Sequence, residues 1–161
     1  MSTRRIRLIA IAGLAALAPL FMGTSIASAT EDPPPEHNGD PALWGPALET
    51  LCNDPALAAA AGYNVLLGGP GADVITGGPA ADGIYGYGSG DTLFGASGHD
   101  FICGGTGNDT IYGEQGADGL FGELGDDTIG GGKARDFLDG GDSSDTCDGG
   151  PAADVLVNCA P

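Results

Sequence analysis

Positive charge is what this sequence has least of. Its 161 residues include 22 Asp and Glu but only five Lys and Arg, a formal net charge of −17. Three of the five cations, Arg4, Arg5 and Arg7, lie in the first seven residues, and no acidic residue precedes Glu31. Past residue 29 only Lys133 and Arg135 face the 22 acids, which leaves −20. Such a surface excludes a nucleic-acid binder, whose affinity comes from cations on phosphate, and it disfavours anionic membranes. Histidine is scarce as well: His37 and His99 are far apart, too few for the nitrogen-rich shells of zinc or copper. No H-E-x-x-H occurs, Ser97 in GASGHD lacks the second glycine of a nucleophile elbow, and GGGKA lacks the Walker spacing. The chain is therefore not read as an enzyme. Apolar runs are short except over residues 8–22. With the arginines before it and Ala27-Ser28-Ala29 after it, that run reads as a secretory signal, residues 1–29, cleaved after Ala29. No stop-transfer segment follows, so secretion rather than membrane insertion is expected.

Glycine and proline are plentiful, 31 and 11 residues, and such composition often means disorder. Residues 30–46, rich in proline and polar groups, fit a flexible linker. Beyond them the glycines are ordered. From Gly68 a glycine recurs every ninth residue to Gly149, ten units without a slip. Five places after each comes an aspartate: Asp73, Asp82, Asp91, Asp100, Asp109, Asp118, Asp127, Asp136, Asp145 and Asp154. Two places further is an apolar residue: Ile75, Ile84, Leu93, Ile102, Ile111, Leu120, Ile129, Leu138, Cys147 and Leu156. A short fixed period is the signature of a solenoid. Each unit predicts a very short strand whose central Ile or Leu points inward, followed by a glycine-rich turn. Two units close one coil of 18 residues. Ten units give about five coils, roughly 24 Å of stacked parallel strands. The fold class is thus all-β, a parallel solenoid over residues 68–157.

Eighteen-residue coils sort the aspartates into two columns, Asp73, 91, 109, 127, 145 and Asp82, 100, 118, 136, 154. Bare carboxylates one strand apart repel by about 1 kcal/mol in water and more near a protein surface. A hard divalent cation between coils reverses the sign. Calcium suits the site because it takes six to eight oxygens, backbone carbonyls included, in irregular geometry.

This unit resembles the RTX, or hemolysin-type, calcium-binding nonapeptide repeat. The chain is closer to short secreted actinobacterial members than to the large toxins. The resemblance implies a right-handed parallel β-roll with calcium between the turns and no particular activity, since such repeats accompany toxins, proteases, lipases and adhesins alike. All ten aspartates are candidate ligands. The fourth position of the unit is Gly71, Gly98, Gly107, Gly116 or Gly125 in five units and Ala80, Ser89, Ala134, Ser143 or Ala152 in the rest. A Cβ there is expected to strain a left-handed turn, which favours the sites at Asp100, Asp109, Asp118 and Asp127. Lys133 and Arg135 flank Asp136 and are expected to compete with calcium there. Five coils allow at most eight ions; four to six Ca2+ are expected.

Residues 47–67 are read as an N-terminal cap, with two readings open. Residues 59–67 fit a degenerate unit with Asn64 in the aspartate place, and NDPALAAAAG fits a short helix capped by Asp54 and stopped by Gly62. Four cysteines in a secreted chain suggest two disulfides. Cys103 lies two or more coils from Cys147 and Cys159, roughly 12 Å or more, beyond the approximately 4.4–6.8 Å a bridge spans. That leaves Cys52–Cys103 and Cys147–Cys159, the second closing the tail, residues 158–161. Tyr85, Phe94, Tyr112 and Phe121 all occupy the ninth position. Packing between coils is the first reading of them; an outward aromatic stripe that binds a glycan or protein partner is the alternative. A calcium-coupled structural module, secreted and monomeric, is therefore expected. An adhesin, or a remnant of a larger RTX enzyme or toxin, is the rival.

Overall fold

The computed structural model describes residues 50–160. The expected signal peptide, the linker, the first residues of the cap and Pro161 lie outside them. Asp54 caps the short helix Pro55–Ala60, its Oδ1 accepting the N–H groups of Ala56 and Leu57 at 3.0 and 3.1 Å. Proline at the first helical place suits the fixed φ there, and Gly62 at φ 101° turns the chain out. Eleven strands follow: β1 (Asn64–Gly69), β2 (Val74–Thr76), β3 (Asp82–Gly88), β4 (Thr92–Ser97), β5 (Phe101–Thr106), β6 (Thr110–Gln115), β7 (Gly119–Leu124), β8 (Thr128–Gly132), β9 (Phe137–Asp139), β10 (Thr146–Asp148) and β11 (Val155–Val157).

Odd and even strands part into two parallel sheets, ordered β1-β3-β5-β7-β9-β11 and β10-β8-β6-β4-β2. Partners are 18 residues apart throughout, as in Ile84↔Ile102, Ile102↔Leu120 and Leu120↔Leu138. The result is a β-solenoid of about five turns. Both readings of the cap hold in part, since the helix forms and β1 pairs with β3 as a leading half-coil.

Strands β3 to β8 are longer than the three residues the period predicts. The reason is that the turns are also laddered. The third-position amides of Lys133 and Asp142 donate to the carbonyls of Glu114 and Glu123 one coil back, at 3.0 and 2.8 Å. In the first coil that position is Pro70 or Pro79, which has no N–H to offer.

Between the sheets runs one apolar column. Ile84, Leu93, Ile102, Ile111, Leu120, Ile129 and Leu138 are buried, with Leu66, Ile75 and Cys147 partly so. Each full burial stabilises by about 1.5–3 kcal/mol. Cys147 holds an inward place, and its disulfide to Cys159 (Cα–Cα 5.7 Å) plugs the end of the column.

A second core lies outside the roll, on the six-stranded sheet. Tyr85, Phe101, Cys103, Phe121 and Phe137 are buried there with Leu51, Ala58 and Tyr63 of the N-terminal segment. Tyr63 packs edge-on to Phe101 at 4.8 Å, and the Tyr85 hydroxyl donates to the Leu51 carbonyl at 2.8 Å. The Cys52–Cys103 disulfide (Cα–Cα 5.7 Å) fastens this cover. The ninth-position aromatics therefore do not form one outward stripe. Tyr85 and Phe121 are buried on one sheet; Phe94 and Tyr112 stack on the other at 5.6 Å. Unit parity separates them, because consecutive units feed opposite sheets.

Removing Leu120 (Leu120→Ala), at the centre of the column, should cost about 2–5 kcal/mol. Removing Leu156 (Leu156→Ala), 47% exposed at its end, should cost less than about 1 kcal/mol. Urea unfolding of both variants in one buffer checks the difference; equal losses would contradict a graded column.

Candidate metal centre

Each aspartate ends a turn and opens a strand, so the period places its carboxylate at the seam between coils. Eight are buried: Asp82, 91, 100, 109, 118, 127, 136 and 145. The two oxygens of each side chain have different fates. Oδ1 accepts the backbone N–H of the aspartate one coil back. The links run Asp73 to Asp91, Asp91 to Asp109, Asp109 to Asp127 and Asp127 to Asp145 at 2.7–2.8 Å in one column. In the other they run Asp82 to Asp100, Asp100 to Asp118, Asp118 to Asp136 and Asp136 to Asp154 at 2.8–2.9 Å. Asn64 Nδ2 donates to Asp82 Oδ1 at 2.6 Å, so the leading half-coil continues the second column with an amide.

Oδ2 is the unfilled half. In Asp91, Asp100, Asp109, Asp118, Asp127, Asp136 and Asp145 it is buried and has no hydrogen-bond partner. In the first coil the same atom folds back on its own turn, to Gly69 N at 2.7 Å in Asp73 and Gly78 N at 2.5 Å in Asp82. A buried acceptor left unmade costs about 1–3 kcal/mol, and more when charged. Seven such losses rival the roughly 5–15 kcal/mol that holds a whole domain. The carboxylates must hold protons or share a cation.

The unpartnered oxygens and a carbonyl of the next coil both crowd the first glycine of the unit. A Cβ built on Gly95 would lie 2.6 Å from Asp100 Oδ2 and 2.9 Å from the Gly113 carbonyl of the next coil. On Gly113 it would lie 2.5 Å from Asp118 Oδ2 and 2.7 Å from the Gly131 carbonyl. The first glycine of the unit is thus needed because any Cβ there would collide with both oxygens. No three His, Cys, Asp or Glu side chains converge among the described residues. A cation here would take two stacked carboxylates and fill its shell with carbonyls, an oxygen-only set that suits calcium and not zinc. The residues present fit calcium.

Left-handed backbone marks the same stretch. The fourth position has positive φ at Ser89, Gly98, Gly107, Gly116, Gly125 and Ser143, but not at Ala80, Ala134 or Ala152. A Cβ does not by itself prevent the left-handed turn, as Ser89 and Ser143 show. Gly71 does not use its freedom. The second position, which gave no signal in the sequence, is also left-handed from Tyr87 to Gly150, including Ala96, Glu114 and Glu123. Strain at such residues is about 1–3 kcal/mol each and persists only where the surroundings dictate it; here the dictating element is the stacked turn.

The flanking cations do not settle Asp136. Its Oδ2 is unpartnered like the others, and Arg135 Nε instead donates to the Ala153 carbonyl at 3.2 Å. The expected neutralisation by Lys133 or Arg135 is not made at that oxygen. His99 is a turn residue whose Nδ1 accepts the Ala117 N–H at 3.1 Å. Asn108 Oδ1 does the same for Asp126 N at 3.2 Å.

Burial pushes five of these carboxyls up, against the lowering effect of the backbone hydrogen bond. Asp100 rises to about 8 and Asp136 to about 7, each with a neighbouring aspartate adding to the rise. Asp118 and Asp127 rise to about 6, and Asp109 is raised for the same reason. The cation-free fold therefore holds protons that an unfolded chain, with carboxyls near about 4, has released. Its stability should fall as pH rises from about 4 through about 8. Thermal melts in chelator across that window check this; a midpoint that climbs with pH would contradict it.

The family model of the RTX calcium-binding nonapeptide repeat matches the chain in four copies, at residues 57–84, 67–102, 94–129 and 121–156. No curated protein and no solved structure gives a match.

Proposed function

The chain belongs to the RTX calcium-binding nonapeptide repeat family, and on that premise we propose that it is a secreted structural module without a catalytic centre, folded by the calcium it binds. The observation that carries the reading is the set of seven buried, unpartnered Oδ2 atoms. They form five stacked pairs: Asp91 with Asp109, Asp109 with Asp127, Asp127 with Asp145, Asp100 with Asp118, and Asp118 with Asp136. Five ions are the expected load, three in one column and two in the other. Asp73, Asp82 and Asp154 lie at the ends of the ladders and complete no such pair.

Calcium supplies the positive charge that the chain lacks, and its binding free energy becomes folding free energy. Two disulfides favour an oxidising compartment. Affinity of the extracellular class, roughly 10⁻⁴–10⁻³ M, would let the roll assemble after export.

Far-UV circular dichroism should show strand signal in calcium, its loss in EGTA and its return on adding calcium again. Identical spectra in both would refute the coupling. Calorimetric titration should find about five ions, within the eight that the coils allow; one or none would sink the reading. Asp118 is shared by two pairs, so Asp118→Asn should remove up to two ions. It should also weaken overall affinity by about tenfold, about 1.4 kcal/mol, whereas Asp154→Asn should leave the stoichiometry unchanged.

A further inference from the structure

The two sheets differ outside the roll. The outer face of the six-stranded sheet is covered by Leu51, Ala58 and Tyr63 and locked by Cys52–Cys103. On the five-stranded sheet none of the nine outward side chains, from Val74 to Asp148, is buried. That face is also nearly free of charge in an acidic chain: of those nine only Asp148, in the last coil, is ionic.

Its chemistry is regular. Thr92, Thr110, Thr128 and Thr146 stand in register on adjacent strands, one hydroxyl every ~4.8 Å. Beside them Phe94 and Tyr112 stack with centroids 5.6 Å apart and planes 16° apart. Gly130 makes room for the Tyr112 ring, since a Cβ there would lie 2.8 Å from Cδ1. Tyr112 is nevertheless 38% exposed and Val74 77%. Rings already held by stacking lose little entropy on binding.

We propose that this face binds an uncharged polysaccharide. Charge selects the occupant. An anionic lipid surface, a nucleic acid or a second copy of this chain would each bring like charge to a chain of formal net charge −17. A neutral sugar chain brings none. Its C–H faces suit the Phe94–Tyr112 pair, and its hydroxyls can exchange hydrogen bonds with the threonine row. Laid across the strands, it meets a threonine on four consecutive strands of this sheet. The proposal rests on the calcium-folded roll but not on how many ions fill it.

The test is retention of calcium-loaded protein on insoluble cellulose and on chitin, with affinity electrophoresis in a soluble neutral β-glucan. Circular dichroism of the same samples confirms that each variant is folded. The wild-type chain should be retained. Tyr112→Ala and Thr128→Glu, both at exposed positions, should each weaken retention by about tenfold or more with an unchanged spectrum. Tyr87→Ala, an exposed aromatic off this face (45% exposed), should leave retention unchanged. No retention of folded wild type on any of the three polysaccharides would overturn the proposal, as would retention indifferent to both substitutions. Self-association in sedimentation that Tyr112→Ala abolishes would assign the face to a second copy and overturn it likewise. A chain that fails to fold with calcium would instead refute the proposed function.

Discussion

Everything in this fold turns on the stacking of one carboxylate over the next. Seven of the eight buried aspartates give one oxygen to the coil before and keep the other bare. The first interaction fixes the 18-residue register with a hydrogen bond to a charged acceptor, about 1.5–3 kcal/mol. The second leaves a deficit of similar size in every coil after the first. The apolar column, one Ile or Leu per nine residues, stabilises the interior but is too thin to absorb that deficit many times over. A scaffold made this way is incomplete without a proton or a cation at the seam.

Much of this was legible in the residues, for a physical reason. A nine-residue period leaves little freedom: glycine, aspartate and an aliphatic residue in strict rotation specify turn, seam and core at once. Coil spacing then decides which cysteines can meet, because stacking turns sequence separation into distance. What did not show is equally specific. The left-handed second position is filled by Tyr87, Ala96, Glu114 and Glu123 as well as by glycine, so no residue type announces it; the ladder between turns imposes it. The split between Oδ1 and Oδ2 is likewise invisible in a list of aspartates. Lys133 and Arg135 beside Asp136 suggested a local ion pair, yet adjacent residues on a strand or tight turn point different ways, and Arg135 Nε reaches the Ala153 carbonyl.

The two flanks were the least predictable part. Tyr85, Phe94, Tyr112 and Phe121 share a place in the unit but not a side of the molecule. Their parity sends Tyr85 and Phe121 under the N-terminal segment and leaves Phe94 and Tyr112 outside. Even units carry Phe101 and Phe137 at the place where odd units carry Thr92, Thr110, Thr128 and Thr146. One repeat consensus thus hides two alternating sequences, one made to be covered and one left open.

That alternation limits how such a gene can lengthen or shorten. Deleting a single unit would keep every turn and every aspartate in step, and the repeat would still look intact. Yet all units beyond the break would change sides, moving Phe121 and Phe137 out from the covered flank and bringing threonines beneath it. Cys103 would lose its place opposite Cys52 if the break preceded it. Viable length variants of this chain should therefore come in steps of two units, with inheritance acting on the 18-residue coil rather than on the nine-residue motif that the eye first finds.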